Sequence, residues 1–153
     1  MMKRSCDVIA ALQGRTLVTA ESCTGGGIGA VITAVAGSSK VYKGGIISYT
    51  NEVKNAQLGV AKELLETDGA VSASVAKAMA IGAKERLSSD VAVSVTGLAG
   101  PDGDDFGNPV GTVFIGYADE HRTVSKEFRF AGDRESVRNQ AICAALELIL
   151  EYA

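Results

Sequence analysis

A strand, a glycine-rich turn and a helix follow one another between residues 16 and 36, and this order constrains the fold more than any other feature of the chain. The apolar segment 17–20 predicts a short strand, and apolar residues recur at helical spacing in 27–36. Between them lie Ser22, Cys23 and three consecutive glycines. Because the first N–H groups of a helix have no partner within it, such a turn can bind an anion or a developing oxyanion. The segment therefore predicts an α/β protein with a reactive turn.

The rest of the chain continues this alternation and then ends in a strand pair and a helix. Strands are predicted at 44–50, 91–96, 111–118 and 123–130. Helices are predicted at 8–12, 52–58, 62–67, 73–87 and 135–150, with Asn51, Ser72 and Asp133 as N-caps. The last two strands are joined through His121 and predict an antiparallel pair. We expect a single domain over residues 1–153, built as a three-layer α/β/α sandwich with a mixed sheet.

Composition and charge narrow the classes of function. The 153 residues carry a net charge of −3, which argues against nucleic acid as the main partner, because proteins that bind nucleic acid usually have a basic surface. A local basic pocket for one small phosphate is compatible with this charge. No apolar run reaches the length of a membrane span and no signal peptide is evident, so we expect a cytoplasmic protein without membrane contact. The widely spaced Cys6, Cys23 and Cys143 form neither a disulfide framework nor a zinc motif. A single histidine, His121, excludes a multi-histidine metal site.

Two residues of the glycine-rich turn are candidate nucleophiles. Ser22 is either a nucleophile beside backbone N–H donors or the N-cap of the following helix. Cys23 is either a rival nucleophile, since a helix N-terminus favours the thiolate, or a structural cysteine. The lipase-type elbow G-x-S-x-G is absent because Ala20 occupies its first glycine position. Both interpretations of each residue stay open at this point.

A candidate base follows the second predicted strand. Lys54 lies in the first turn of a predicted helix, where a positive charge opposes the helix dipole, so a reason other than folding is indicated. Burial would lower its pKa and make it a base for a serine, whereas pairing with Glu21 would raise its pKa; an exposed Lys54 would be an ordinary surface residue. The segments 20–24, 49–54 and 96–100, which contain Tyr49 and Thr96, all lie at the carboxyl ends of predicted strands. Because ligands of open α/β sheets bind at that edge, we expect these residues to converge.

Two arginines lie one helical turn apart at the start of the last predicted helix. Arg134 and Arg138 share a face at this spacing and are suited to binding one phosphate. The alternative is that they form salt bridges with Asp133 or Glu135.

Motifs along nearly the whole chain are similar, in order, to those of one family. The turn motif is A-E-S-C-T-G-G at 20–26, and G-S-S at 37–39 and G-G at 44–45 precede Y-x-N-x-x-K at 49–54. Further matches are G-A-V-S at 69–72, T-G-L-A-G-P-D-G at 96–103, P-V-G-T-V at 109–113 and G-D-R-x-x-x-R at 132–138. On these motifs the chain resembles the CinA C-terminal domain family, which includes stand-alone nicotinamide mononucleotide amidohydrolases, or NMN deamidases.

The resemblance implies hydrolysis of the carboxamide of nicotinamide mononucleotide (NMN) to nicotinate mononucleotide and ammonia, in pyridine-nucleotide recycling and without cofactor or metal. It implies a serine–lysine mechanism in which Ser22 is the nucleophile and Lys54 the base, assisted by Tyr49 and Thr96. The substrate-binding residues that it implies are Thr24, Gly25, Gly26, Ser39, Gly97, Arg134 and Arg138. One of the two arginines would hold the 5′-phosphate. A stand-alone protein that forms a homo-oligomer is also expected.

Two other functions are compatible with the sequence. One is a non-catalytic nucleotide-binding module in competence or damage responses, which would not need Lys54 near Ser22. The other is a dinucleotide-dependent oxidoreductase, suggested by Gly25-x-Gly27-x-x-Ala30 and by Glu52 as the ribose-binding acid. With 18 glycines in the chain, this fingerprint also arises by chance.

Overall fold

The computed structural model describes all residues of the chain, Met1–Ala153. It contains five strands, six α-helices and one short 3₁₀ helix, Ser38–Lys40. The strands are β1 (Leu17–Glu21), β2 (Tyr42–Ile47), β3 (Val91–Gly97), β4 (Thr112–Ala118) and β5 (Thr123–Arg129). The helices are α1 (Met2–Ala11), α2 (Gly27–Thr33), α3 (Asn51–Leu58), α4 (Lys62–Thr67), α5 (Ala73–Arg86) and α6 (Arg134–Tyr152). Every predicted strand and helix is therefore present, although several ends differ from the prediction.

The five strands form one mixed sheet in the order β2-β1-β3-β4-β5. Strands β2, β1 and β3 are parallel, and β4 and β5 are antiparallel additions to that core. Glu21, the last residue of β1, pairs with Ile47 on one side and with Val95 on the other. The carboxyl ends of the three parallel strands therefore lie at one edge of the sheet, which places the loops that follow them side by side.

Helices cover both faces of the sheet, so the predicted three-layer sandwich is confirmed. One layer contains α1, α2 and α6, whose buried residues join those of the sheet in a core of 23 side chains that includes Val8, Ile28 and Val137. The opposite layer contains α3, α4 and α5 around a smaller core of 11 side chains that includes Leu58 and Leu65. Aliphatic residues dominate both cores, as the low aromatic content of 5% leads one to expect.

Two of the differences from the predicted boundaries have an identifiable reason. The N-cap of α3 is Thr50 rather than Asn51, because Thr50 has the extended backbone of a cap and its hydroxyl accepts a hydrogen bond from Val53 N at 3.3 Å. Threonine and asparagine both favour the N-cap position. The point at which the chain leaves the sheet determines which of the two residues occupies it. Helix α2 ends at Thr33, three residues earlier than predicted, where a turn leads into the 3₁₀ helix. No helix of the structure combines the length and the apolar character needed to cross a lipid bilayer.

Candidate active site

The carboxyl edge of the parallel strands opens into a cavity of about 260 Å³. The loops after β1, β2 and β3 line it, together with the start of α3, the segment before α5 and the start of α6. Its lining residues are Ser22, Cys23, Tyr49, Asn51, Lys54, Ala70, Val71, Thr96, Gly97, Leu98, Ala99, Gly100, Asp102 and Arg134. The four residues expected to act in catalysis, Ser22, Lys54, Tyr49 and Thr96, are therefore all at one cavity.

Lys54 and Ser22 are in direct contact inside the protein. The Lys54 side chain is only 2% exposed, and its Nζ lies 3.0 Å from Ser22 Oγ. The same Nζ donates hydrogen bonds to two backbone carbonyls, Ser48 O at 2.9 Å and Tyr49 O at 3.2 Å. Helix α3 delivers the lysine from its first turn, and the end of β1 delivers the serine. Two residues that are 32 positions apart in the chain thus form a buried dyad.

The surroundings of Lys54 favour its neutral form. Desolvation lowers the pKa of Lys54 from its ordinary value of 10.5 to about 8. A neutral amine has two N–H groups and one lone pair, and two of its three neighbours are carbonyl oxygens that can only accept. The lone pair is then left for the hydroxyl of Ser22. The only other acceptor near that hydroxyl, Tyr49 O, lies farther away, at 3.5 Å. This geometry suits proton transfer from Ser22 to Lys54.

Glu21 does not pair with Lys54, so the interaction that would raise the pKa of the lysine is absent. Its carboxylate lies on the other face of the sheet and accepts hydrogen bonds from Ile28 N at 2.8 Å and Gly29 N at 3.0 Å. It also accepts one from the Thr24 hydroxyl at 2.7 Å. Glu21 therefore satisfies the first amides of α2. Ser22 makes no such bond, which excludes the helix-cap interpretation of this serine.

Cys23 is buried and unsuited to nucleophilic attack. The residue is 6% exposed, and desolvation raises the pKa of its thiol to about 11. The thiolate is the nucleophilic form of cysteine, and this environment disfavours it. The amides at the start of α2 donate to the carboxylate of Glu21 and not to the thiol. Between the two candidate nucleophiles, the geometry favours Ser22.

Tyr49, Thr96 and Gly97 take different positions around the dyad. Tyr49 is 58% exposed at the cavity mouth, where its hydroxyl accepts a hydrogen bond from Arg134 Nη2 at 3.1 Å. Thr96 is buried, and its hydroxyl donates to Ala70 O at 2.8 Å. Gly97 has no room for a side chain, because a Cβ there would lie 2.6 Å from a methyl group of Val113. The glycine allows the end of β3 to pair closely with β4.

The side chains of Arg134 and Arg138 contact different parts of the protein, although the two residues are one turn apart on α6. Arg134 reaches the cavity mouth, where it also donates to Gly100 O at 2.6 Å. Arg138 does not line the cavity and instead donates to Cys23 O at 3.0 Å and Thr24 O at 3.2 Å. Neither forms a salt bridge with Asp133 or with its neighbour in the sequence, Glu135. Arg134 is therefore the one arginine available to an anion in the cavity.

The other expected binding residues do not line the cavity. Thr24, Gly25 and Gly26 form the turn behind Ser22, and Ser39 lies in the 3₁₀ helix. The backbone N–H groups of Cys23, Thr24 and Gly26 donate no hydrogen bond to another residue, so the turn does carry free donors. These are the groups that an oxyanion beside Ser22 would need.

Most of the other lining residues belong to segments predicted to converge at this edge. Leu98, Ala99 and Gly100 lie in the segment 96–100 and Asn51 lies in the segment 49–54. The sequence did not predict Asp102, Ala70 or Val71 as lining residues, and nothing in the local sequence marks the last two.

The remaining titratable residues form no further centre. The His121 side chain is 72% exposed in the turn between β4 and β5. No group of three or more histidine, cysteine, aspartate or glutamate side chains is arranged so that it could hold a metal ion. All three cysteines are free thiols.

Comparison with known proteins gives one consistent result. The chain matches the family described as the CinA C-terminal domain over residues 2–153. It is 51% identical over 138 residues to a CinA-like protein of Thermosynechococcus vestitus. The aligned segment covers 88% of this chain and 33% of that relative. It is 46% identical over 137 residues to a putative competence-damage inducible protein of Acetivibrio thermocellus, with 90% and 33% covered. The chain thus spans about a third of the length of the curated relatives it matches.

Solved structures agree with the fold. The competence damage-inducible protein A (ComA) of Klebsiella pneumoniae is 35% identical, with a TM-score of 0.96 over 99% of this chain and 95% of that one. The competence/damage inducible protein CihA of Agrobacterium tumefaciens is 38% identical, with a TM-score of 0.94 over 98% and 93% of the two chains. The similarity covers the whole sandwich and the loops at its carboxyl edge.

Proposed function

The chain belongs to the CinA C-terminal domain family, and on that premise we propose that it hydrolyses the carboxamide of NMN to nicotinate mononucleotide and ammonia. The observation that carries the proposal is the buried contact of Lys54 Nζ with Ser22 Oγ at 3.0 Å. Burying a lysine without a carboxylate partner is costly, so its place against a serine calls for a chemical reason.

The proposed reaction proceeds through an acyl-enzyme. Ser22 Oγ attacks the carboxamide carbon while its proton moves to the lone pair of Lys54. The oxygen of the tetrahedral intermediate accepts hydrogen bonds from the free backbone N–H groups of Cys23 and Thr24. Lys54 then gives its proton to the leaving nitrogen, which departs as ammonia. Water then attacks the acyl carbon while Lys54 takes a proton from it. The bond between that carbon and Ser22 Oγ breaks, Lys54 returns the proton to Ser22 Oγ, and nicotinate mononucleotide leaves.

The cavity supports a small nucleotide as substrate. Its volume of about 260 Å³ suits a pyridine carboxamide beside the dyad, while the ribose and phosphate extend to the mouth. Arg134 is placed there by Gly100 O and the Tyr49 hydroxyl and offers a guanidinium to the 5′-phosphate. Thr96 and Gly97 line the inner wall. Chemistry of this kind uses neither a metal nor an organic cofactor.

The two other functions receive less support. A nucleotide-binding module would use the same cavity and Arg134 but gives no reason to bury Lys54, although the relatives are named for competence and damage and not for an activity. A dinucleotide-dependent oxidoreductase would place a pyrophosphate at the N-terminus of α2. The carboxylate of Glu21 already occupies that position and would repel it.

Ammonia release from NMN tests the proposal directly. We expect turnover by the wild type and none by Ser22→Ala. Cys23→Ala is the matched control, because it removes the neighbouring nucleophile, and it should retain most of the activity. A folded wild type that binds NMN without releasing ammonia would favour the nucleotide-binding module. If Cys23→Ala loses all activity while Ser22→Ala remains active, the thiol of Cys23 and not Ser22 is the nucleophile.

A further inference from the structure

Arg138 binds the backbone of the turn that carries Ser22. Its Nε donates to Cys23 O at 3.0 Å and its Nη2 to Thr24 O at 3.2 Å, across 115 and 114 positions of the chain. One planar guanidinium thus holds two successive carbonyl groups, for which its fixed fork of donors is suited.

These bonds determine the direction of one backbone N–H. In a planar trans peptide the carbonyl oxygen and the following N–H point in opposite directions. Because Cys23 O points towards the guanidinium of Arg138, the N–H of Thr24 points away from that guanidinium. That N–H has no partner in the chain, and Cys23, which precedes it, lines the cavity.

A second residue holds the same turn from the sheet side. The carboxylate of Glu21 accepts a hydrogen bond from the Thr24 hydroxyl at 2.7 Å, and Glu21 is itself 2% exposed. Thr24, which is fully buried, is therefore held at its side chain by Glu21 and at its carbonyl by Arg138. The peptide between Cys23 and Thr24 cannot rotate without breaking a charge-assisted hydrogen bond.

We infer that Arg138 is a positioning residue, which fixes the N–H of Thr24 as an oxyanion donor beside Ser22 and does not bind the phosphate. The inference rests on the proposed amide hydrolysis. It divides the two arginines of α6 between different tasks: Arg134 recognises the phosphate of the substrate, and Arg138 holds the backbone that stabilises the transition state. The loss of one oxyanion donor lowers kcat by roughly 10²–10³-fold.

A comparison of two substrates separates these tasks. NMN and nicotinamide riboside carry the same carboxamide, but the riboside lacks the phosphate. We expect Arg138→Gln to lower kcat on both substrates by about 100-fold with little change in KM. Arg134→Gln, one turn away, should instead act mainly on KM for NMN, with a much smaller effect on the riboside, which has no phosphate to lose. An Arg138→Gln enzyme that loses only its affinity for NMN, or that keeps its kcat, would overturn the inference.

A chemical probe makes the test independent of NMN. A fluorophosphonate accepts Ser22 Oγ at phosphorus and expels fluoride, the serine proton passes to Lys54, and the phosphoryl oxygen needs the same donors as the oxyanion. We expect Arg138→Gln to slow labelling of Ser22 about 100-fold, and Arg129→Gln, an exposed arginine of β5 that does not line the cavity, to leave it unchanged. Equal labelling rates in wild type and Arg138→Gln would refute the positioning role even if NMN proves not to be the substrate.

Controls keep the outcomes distinct. Thermal unfolding of each variant shows whether the fold survives, and Arg138→Lys, which keeps the charge but loses the two-pronged fork, replaces the glutamine variant if that one does not fold. If the wild-type protein is labelled by the fluorophosphonate but does not hydrolyse NMN, the proposed function is contradicted and the positioning role of Arg138 is not. Wild type that does neither contradicts both.

Discussion

At the scale of single residues, the candidate site depends on one lysine whose charge is costly. Lys54 has no acidic partner, and its contacts are two carbonyls and the hydroxyl of Ser22. The adjacent thiol of Cys23 shows the opposite consequence of the same burial, because desolvation raises its pKa to about 11 while it lowers that of Lys54 to about 8. Desolvation favours the neutral form of each group. For the lysine the neutral form is the reactive one, and for the thiol it is the inert one.

The pH dependence of catalysis follows from the pKa of Lys54. We expect kcat/KM for NMN to rise with pH and to level off above an apparent pKa of about 8, because the base must be neutral before it accepts the serine proton. Lys54→Met should lose roughly 10²–10⁴-fold in kcat and keep its fold. Initial rates of ammonia release between pH 6 and pH 10, with circular dichroism of the variant, check both. A rate that falls over this pH range would contradict a lysine base.

At the scale of elements, the position of Lys54 depends on how closely α3 approaches α5. Gly82 of α5 is buried, and a Cβ at that position would collide with the backbone carbonyl of Leu58 at the end of α3. Lys54 lies one helical turn before Leu58, on the same face of α3. Because Gly82 has no side chain, α3 can approach α5 closely, and this approach determines how deeply Lys54 is buried.

Gly82→Ala tests this arrangement. The added methyl group must displace backbone, so we expect a loss of about 1–3 kcal/mol in the free energy of unfolding together with a lower kcat. The control is Glu85→Ala, an exposed position on the same helix, which should stay within about 0.5 kcal/mol of the wild type. Urea unfolding and ammonia release measure the two effects. Unchanged stability and activity in Gly82→Ala would show that this contact does not position α3.

At the scale of the whole molecule, the candidate site lowers the stability of the fold. The sandwich buries a lysine at the edge of its smaller core, and the lowered pKa of Lys54 corresponds to roughly 3 kcal/mol of lost stability below pH 8. Functional sites commonly carry such a cost, and the remaining core compensates for it. Self-association, which the resemblance implied, stays a prediction for this chain.

The stability of Lys54→Met should therefore depend on pH. A lysine in the unfolded chain has its ordinary pKa of 10.5, whereas the pKa of Lys54 in the folded protein is about 8. The loss of stability is therefore complete below pH 8 and disappears as the pH rises towards 10.5. We expect the variant to exceed the wild type by up to about 3 kcal/mol at pH 7 and by much less at pH 10.5. Urea unfolding at both pH values measures the difference, with the exposed Lys62→Met as control. A difference that does not change with pH would contradict the buried charge.

The order of strands and helices and the convergence of loops at one edge followed from the sequence alone. Hydrophobic periodicity and turn chemistry are local, and the parallel alternation of 17–20, 44–50 and 91–96 leaves few ways to arrange the sheet. Only the tertiary structure determined which role each charged side chain takes. Glu21 accepts hydrogen bonds from the first amides of α2, and Lys54 contacts Ser22 without an acidic partner. Arg134 lies at the cavity mouth, whereas Arg138 binds the turn behind Ser22. These outcomes depend on desolvation and on contacts between distant positions, and no local pattern encodes either.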